Sequence, residues 1–287
     1  MKIKPTNDLL FKKMMTTTGK EYILEDFIKA DTRMKLTNVR PTNPYQIESY
    51  QKEIENLNPV MYSTIVDVAA TTEDGMEIMI EMQLYQHKDF FERIFNYMAT
   101  TYTQNYKAES AKSIISIVVT NFTVFPEFQE ARVEIGLTNL ACHREIKNKK
   151  HQPYWRIYLV NLTDKAILEG ENTDLSEWRD FLKNGTIKPE SSRGLKEAQK
   201  MQSDMQKSQK EIQDKTFEAV AGGGAVSAKM TGKRELIEIN VSEELLDKEE
   251  KDMLQDVLMV CINDLLKQID DEEQEMTKGM SIPGMGL

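Results

Sequence analysis

The chain has 287 residues, 40% of them hydrophobic and 29% charged, a composition typical of a globular protein with room for two domains. Its net charge of −10 is concentrated from Leu195 onward, where 12 basic residues accompany 20 acidic ones, and this argues against DNA binding through a generally basic surface. No apolar run is long enough for a membrane helix, no signal peptide opens the chain, and Cys142 and Cys261 lack metal-ligand spacing, so we expect a cytoplasmic protein with no membrane role.

The N-terminal region predicts one or two amphipathic helices. Apolar residues recur at helical spacing between Asp8 and Ala30, with a break near residues 16–19. Residues 31–58 are polar and contain two prolines, which indicates an irregular connection.

A β-hairpin is predicted next, because two runs of strand character flank the loop Glu73-Asp74-Gly75. A three-residue loop that ends in a left-handed glycine places Asp67 directly opposite Glu81. Gln83 is then diagonal to Asp67 on the same face of the sheet. A two-residue Asp-Gly loop would shift the register by one residue and move Asp67 to the other face.

Facing carboxylates need a compensating partner. At about 5 Å and an effective dielectric near 20, their repulsion is roughly 3 kcal/mol. A raised pKa, a basic neighbour or a divalent cation would relieve it. Two carboxylates with a carbonyl and several waters form a usual Mg²⁺ site. The spacing leaves one alternative open, a surface hairpin whose acidic side chains are solvated.

A helix is predicted from Lys88 to Tyr106, with an apolar stripe toward the core and Arg93 largely off that stripe. A guanidinium near the hairpin would bind a scissile phosphate in bidentate fashion, whereas a salt bridge to Asp89 or Glu92 is the structural alternative. Residues 113–121 predict a buried central strand, and weaker strands follow at 131–137 and 155–162. Between these two, the basic residues of 143–150 suit either a DNA backbone contact or a solvated loop.

Three features, in this order, resemble the Rpn family of recombination-promoting nucleases, which belongs to the PD-(D/E)XK nuclease superfamily. They are residues 7–14 (NDLLFKKM), the Asp67…Glu81-x-Gln83 pattern, and Phe91-Glu92-Arg93 followed by Tyr97 and Tyr102. The resemblance covers roughly the first 185 residues and implies an α/β fold with a mixed sheet. It also implies cleavage of DNA phosphodiesters that depends on Mg²⁺ or another divalent cation.

The same resemblance implies roles for individual residues. Asp67 and Glu81 would be the metal ligands and catalytic carboxylates, with Arg93 and Asp8 as further members of the site. Gln83 stands where the superfamily usually has lysine. Since glutamine neither accepts a proton nor carries a positive charge, the sequence leaves open whether this site is working or weakened.

The second half predicts a different arrangement. Residues 186–195 are polar and suggest a linker, and a helix follows at 196–214. The run Gly222-Gly223-Gly224, by itself a flexible connection, precedes strands at 225–230 and 235–241, and a helical region extends from 242 to about 276.

This order resembles the YbaB/EbfC family of nucleoid-associated proteins. The matched residues are Ala221-Gly222-Gly223-Gly224-Ala225-Val226, Thr231-Gly232-Lys233, Leu254-Gln255-Asp256-Val257 with Asn263-Asp264, and the Pro-Gly-Met-Gly tail. The resemblance implies a small α+β domain that dimerises and binds DNA with little sequence preference.

We therefore predict a nuclease-like domain over residues 1–185, a linker over 186–195 and a DNA-binding, homodimerising domain over 196–287. The predicted function is that of a metal-dependent DNA endonuclease fused to a nucleoid-associated module. The alternative is a non-catalytic DNA-organising protein in which the nuclease domain is degenerate.

Overall fold

The fold consists of two compact units, one from Ile3 to Gln202 and a second beginning at Ser203. It is taken from a computed structural model that describes residues 3–42 except 35 and 37, 67–104 except 87, 113–166 except 164 and 165, and 173–278. The predicted strand residues 65 and 66 and the glycine-rich tail at 281–287 lie outside this description.

Helices and a six-stranded sheet make up the first unit. The helices are α1 (Asp8–Thr16), α2 (Tyr22–Thr32), α3 (Phe90–Gln104), α4 (Thr173–Asn184) and the first half of α5 (Arg193–Asp214). The strands are β1 (Arg40–Thr42), β2 (Val68–Thr71), β3 (Glu77–Gln83), β4 (Ile114–Thr120), β5 (Arg132–Gly136), β6 (Thr138–Asn139), β7 (Arg144–Glu145) and β8 (Trp155–Asn161), of which β6 and β7 form a separate short ribbon.

The sheet is mixed, in the order β1-β2-β3-β4-β8-β5. Strands β3, β4 and β8 are parallel to one another, whereas β1, β2 and β5 join their neighbours in antiparallel fashion. Every residue of β4 is buried, as its nearly continuous apolar sequence predicts for a central parallel strand. The mixed α/β architecture confirms the predicted fold class.

The N-terminal helices form as two separate elements. The side chain of Asn7 caps α1 by accepting a hydrogen bond from the backbone N–H of Leu10. Gly19 adopts a φ of +80° in the connection, which stops the first helix and redirects the chain. Phe11 of α1 packs edge-on against Phe27 of α2, which in turn packs against Trp178 of α4. These contacts anchor α1 in the core beside the sheet.

The β2–β3 hairpin has the register that its loop sequence predicts. Val68 pairs with Ile80 and Thr71 with Glu77, and the N–H of Thr72 donates to the carbonyl of Met76. Gly75 has a φ of +84°, the left-handed conformation that the three-residue loop requires. The alternative of a two-residue Asp-Gly loop is therefore wrong, because the observed register is the one that the three-residue loop predicts.

The second half of α5, an antiparallel three-stranded sheet and a long helix form the second unit. The strands are β9 (Thr216–Ala221), β10 (Val226–Thr231) and β11 (Leu236–Val241), in the order β11-β10-β9, and the helix is α6 (Lys251–Lys278). The helical region predicted from Ser242 begins with two short 3₁₀ turns instead, since Asp247 between them is extended. Val226, Cys261, Leu265 and Ile269 are among the residues of its apolar core.

Candidate active site

Two acidic side chains lie together where β2 begins and β3 approaches its end. The ladder ends with Val68 paired to Ile80, and its register, extended by one residue, places Asp67 opposite Glu81 on the same face. Their side chains are only 11% and 12% exposed. This burial excludes the alternative of solvated acids on a surface hairpin.

Both carboxylate oxygens of Asp67 have partners. Oδ2 accepts a 2.6 Å hydrogen bond from the backbone N–H of Met82, in the neighbouring strand. Oδ1 lies 3.3 Å from Nζ of Lys12, which α1 brings to the hairpin. Nζ of Lys12 also lies 2.9 Å from Oδ1 of Asp8, one helical turn earlier. The N-terminal helix is therefore part of the site.

Helix α3 packs on the face of the sheet that contains Met79, and it brings the guanidinium of Arg93 to Glu81. Nη2 of Arg93 lies 3.9 Å from Oε1 of Glu81. Nε of Arg93 is buried and makes no hydrogen bond within the described residues. The ion pair thus joins Arg93 to the candidate site itself, rather than to Asp89 or Glu92.

The environment of the two carboxyls favours their protonated forms. Burial, and to a lesser extent the negative charge of Asp67, raise the pKa of Glu81 to about 8, although Arg93 acts in the opposite direction. Burial also raises the pKa of Asp67, against the hydrogen bond from Met82 and the positive charge of Lys12. The pair therefore resists carrying two full negative charges unless a cation compensates them.

Gln83 lies at the end of β3, two residues beyond Glu81 in the same strand. Its amide nitrogen donates a 2.8 Å hydrogen bond to the backbone carbonyl of Tyr85. This contact orients the amide from the turn that follows β3, and leaves its oxygen to act as an acceptor.

The donor set suits a small divalent cation. Asp67 and Glu81 offer hard carboxylate oxygens on facing positions, and Mg²⁺ is commonly held by one or two carboxylates with water completing its shell. Among the described residues no cluster of three or more His, Cys, Asp or Glu side chains has metal-binding geometry. Two carboxylates leave most of the coordination shell of such an ion to water.

The basic segment 143–150 lies away from these carboxylates. Glu81 and Gln83 are near the carboxyl end of β3, whereas β5 runs antiparallel to β8 and leads into β6 and β7 at the amino end of β8. Nζ of Lys150 donates to the backbone carbonyl of Asp74, in the hairpin turn at the amino end of β3. The segment is thus not part of the candidate active site.

Of the residues predicted for the site, the structure brings Asp67, Glu81 and Arg93 together and places Asp8 at the periphery through Lys12. Lys12 itself was not predicted as a site residue. The only available signal was its position within the motif 7–14. None of the helices in the described part of the chain is long and apolar enough to cross a membrane.

Two families match the chain over overlapping ranges. Residues 5–219 match the PD-(D/E)XK nuclease family transposases. Residues 189–285 match the YbaB/EbfC DNA-binding family. The first match includes the whole candidate site, and the second includes the three-stranded sheet and α6.

Several relatives resemble the second unit. Two nucleoid-associated proteins, from Oceanobacillus iheyensis and Clostridium novyi, are each 43% identical to this chain over 95 residues. The matched residues cover 32% of this chain, and they cover 91% of the first relative and 83% of the second. A third, from Alkaliphilus metalliredigens, is 40% identical over 101 residues, covering 34% of this chain and 89% of the relative. A crystal structure of an uncharacterised Helicobacter pylori protein matches 29% of this chain and 95% of its own, with 26% identity and a TM-score of 0.26.

Proposed function

This chain belongs to the PD-(D/E)XK nuclease family transposases, with a C-terminal part that belongs to the YbaB/EbfC DNA-binding family, and we propose that it is a metal-dependent DNA endonuclease joined to a nucleoid-associated DNA-binding module. The observation that carries the proposal is the buried, facing pair Asp67 and Glu81. Each carboxylate is accompanied by one cation, Lys12 or Arg93. Such an arrangement of charges suits the binding of a metal ion and a phosphate together.

The residues divide the chemistry among them. Asp67 and Glu81 would hold Mg²⁺ or a similar ion, which when bound lowers the pKa of water and stabilises charge on the phosphate. Met82 fixes the orientation of Asp67 through its backbone N–H. Arg93 neutralises Glu81 and offers hydrogen-bond donors to a phosphate oxygen. The amide oxygen of Gln83 would accept a hydrogen bond from the attacking water and so orient it.

Nicking of supercoiled plasmid tests the proposal. The wild-type protein is expected to nick in the presence of Mg²⁺ and to lose this activity when the ion is chelated. Asp67→Asn should lose nicking while Glu77→Gln retains it. Glu77 is the matched control, because it lies on the same strand and face as Glu81 but pairs with the hydroxyl of Thr71. Equal nicking by wild type and Asp67→Asn would refute the assignment.

A second candidate is a non-catalytic DNA-organising protein in which the nuclease unit is degenerate. Two observations favour it, glutamine at position 83 and the relatives named nucleoid-associated proteins. A gel shift over a salt series distinguishes the candidates when performed beside the nicking assay. Binding of DNA without nicking by the wild type, under all divalent ions tested, would favour the organiser.

We also propose that the second unit forms a homodimer. Strand β11 is at the edge of its sheet, and Leu236, Ile237 and Ile239 are 46%, 56% and 40% exposed. An apolar edge strand of this kind is a suitable site for pairing with another copy. Size-exclusion chromatography with light scattering should give a dimeric mass that Ile237→Lys reduces toward that of a monomer.

DNA is the proposed partner of both units, and the cytoplasmic nucleoid is the proposed location. The second unit is not generally basic, since 20 acidic residues accompany 12 basic ones from Leu195 onward, and Lys229 pairs with Glu218 and Glu238. DNA affinity is therefore expected to depend on local contacts and on pairing of two copies. A shallow dependence of affinity on salt would agree with few phosphate contacts in each copy.

A further inference from the structure

We propose that Lys12 is a catalytic residue. Its ammonium group contacts the scissile phosphate and supplies the positive charge that Gln83 lacks. This inference rests on the proposed nuclease function and assigns one further member to the same site. Its starting observation is that the ammonium group of a residue near the N-terminus lies 3.3 Å from Oδ1 of Asp67.

The position of Lys12 is well defined by the helix that contains it. Leu10, Phe11, Met14 and Met15 of α1 are buried, and Asn7 caps the helix. Lys12 is only 15% exposed, so its aliphatic stem is held against protein while its ammonium reaches the carboxylates. Functional groups on a packed helix are held more rigidly than groups on loops.

The orientation of Asp67 determines which of its oxygens is open to a cation. Oδ2 accepts the backbone N–H of Met82 at 2.6 Å, and this hydrogen bond leaves Oδ1 on the side of Lys12. Lys12 contacts Oδ1. An ammonium beside that oxygen is within reach of a phosphate bound through the same ion.

The balance of charge requires a cation on this side of the pair. Arg93 is 3.9 Å from Glu81 and serves the other carboxylate. Hydrolysis of a phosphodiester places additional negative charge on the phosphate oxygens, and a fixed positive charge stabilises the transition state more than the ground state. Gln83 is neutral, so Lys12 is the residue that supplies a compact point charge beside Asp67.

Asp8 has a supporting role in this arrangement. Its carboxylate is 70% exposed, and Oδ1 lies 2.9 Å from Nζ of Lys12. It therefore shares the ammonium with Asp67 and holds it at the mouth of the site. Asp8 is a positioning residue, because it acts through Lys12 rather than on the phosphate.

The test compares Lys12→Met, Lys12→Arg and Lys20→Met in the full-length protein. Lys20 is the matched control, since it is a partly buried lysine in an ion pair, 2.7 Å from Glu197. Plasmid nicking is measured under single-turnover conditions with Mg²⁺. Mn²⁺ binding is measured by calorimetry without DNA, and folding by circular dichroism.

Lys12→Met is expected to lower the nicking rate about 100-fold or more, the usual effect of removing one group that stabilises transition-state charge. Lys12→Arg should recover part of the rate, and Lys20→Met should nick like the wild type. Lys12→Met should bind Mn²⁺ at least as tightly as the wild type, because the substitution removes an ammonium that competes with the metal ion for Oδ1 of Asp67.

Three outcomes would overturn the inference, and they are distinguishable. Nicking by Lys12→Met within threefold of the wild type would refute a catalytic role while leaving the nuclease function intact. Loss of Mn²⁺ binding in a folded Lys12→Met protein would show that Lys12 only holds Asp67 in position. Absence of nicking by the wild type would refute the proposed function, and the role of Lys12 with it.

Discussion

The carboxylate of Asp67 accepts a 2.6 Å hydrogen bond from the backbone N–H of Met82, the residue that follows Glu81. The first acidic residue is thereby fastened to the strand that carries the second. The backbone of β3 therefore holds the carboxylate of Asp67 close to the residue that carries the second acidic side chain.

This hydrogen bond predicts different effects for two substitutions of Asp67. Asparagine retains a side-chain oxygen that accepts the hydrogen bond from the backbone N–H of Met82, whereas alanine leaves this N–H without its acceptor. Both variants should lose plasmid nicking. Asp67→Ala should also lower the free energy of unfolding by about 1–3 kcal/mol relative to Asp67→Asn, the usual effect of an unsatisfied buried group. Urea denaturation of the two variants provides the measurement, and equal stabilities would contradict the role of Met82.

The raised pKa of Glu81 predicts that ionisation of this residue lowers the stability of the folded protein. The pKa rises from its ordinary value of 4.5 to about 8, so the folded state holds a proton that the unfolded chain has released between these values. The free energy of unfolding therefore decreases as the pH rises through this window. Glu81→Gln, which resembles the neutral carboxyl, should be more stable than the wild type by roughly 2–4 kcal/mol at pH 9.

Thermal denaturation in a metal-free buffer measures this difference. At pH 4 the two proteins should have similar stability, because Glu81 is then protonated in both states of the wild type. Addition of Mg²⁺ at pH 9 should stabilise the wild type and leave Glu81→Gln nearly unchanged, since a ligand stabilises the state that binds it. A Glu81→Gln protein less stable than the wild type at pH 9 would contradict the prediction.

Asp31 predicts a second pH effect, outside the candidate site. Its side chain is completely buried at the end of α2, and neither carboxylate oxygen has a hydrogen-bond partner among the described residues. Burial raises its pKa from 3.8 to about 7, although Arg132 acts in the opposite direction. Stability should thus fall as the pH rises from about 4 to 7, because the folded state binds the additional proton.

Asp31→Asn should remove this dependence and be more stable than the wild type at pH 8.5 by roughly 3 kcal/mol. At pH 4 the difference should be small. Urea denaturation at the two pH values measures this difference in stability. The control is Asp204→Asn, which replaces an exposed aspartate. An unchanged pH dependence in Asp31→Asn would show that Asp31 is ionised in the folded protein at neutral pH.

The glycine run of the second unit predicts unequal effects for two neighbouring substitutions. Gly222 and Gly223 both have positive φ, of +62° and +69°. A Cβ at Gly222 would lie 2.8 Å from Cγ1 of Val257 in α6, whereas a Cβ at Gly223 would meet nothing within 4 Å. Gly223→Ala should therefore lower the stability by about 1 kcal/mol from backbone strain alone.

Gly222→Ala should cost a further 1–3 kcal/mol, because an additional carbon in a packed interface forces its neighbours to move. Chemical denaturation measures the difference in stability between the two variants. This difference separates the effect of crowding against Val257 from the effect of backbone strain at a positive φ. Equal stabilities would support the interpretation of this run as a flexible connection. The defined positive φ values favour the view that glycine is required there by the turn.

Local sequence rules predicted much of the hairpin and little of what surrounds it. The length of the loop and the glycine at its end determine the register of β2 and β3, so the facing of residues 67 and 81 could be predicted. Strand β1 was not predicted, because its three residues include Pro41 and it is held only by pairing with β2. The contact of Lys12 with Asp67 joins residues distant in the chain and has no local signal.

The amino-acid sequence by itself determined the hairpin register, the buried central strand and the order of two family-like regions. These features depend on turn chemistry and on apolar periodicity over short stretches of chain. Only the tertiary structure decided which cations accompany the carboxylates, that the basic segment at 143–150 lies toward the opposite end of the strands, and that Asp67 and Glu81 are buried. The physical reason is that packing of α1 and α3 on the sheet sets both the desolvation and the charge balance of the site, and neither depends on neighbours in the sequence.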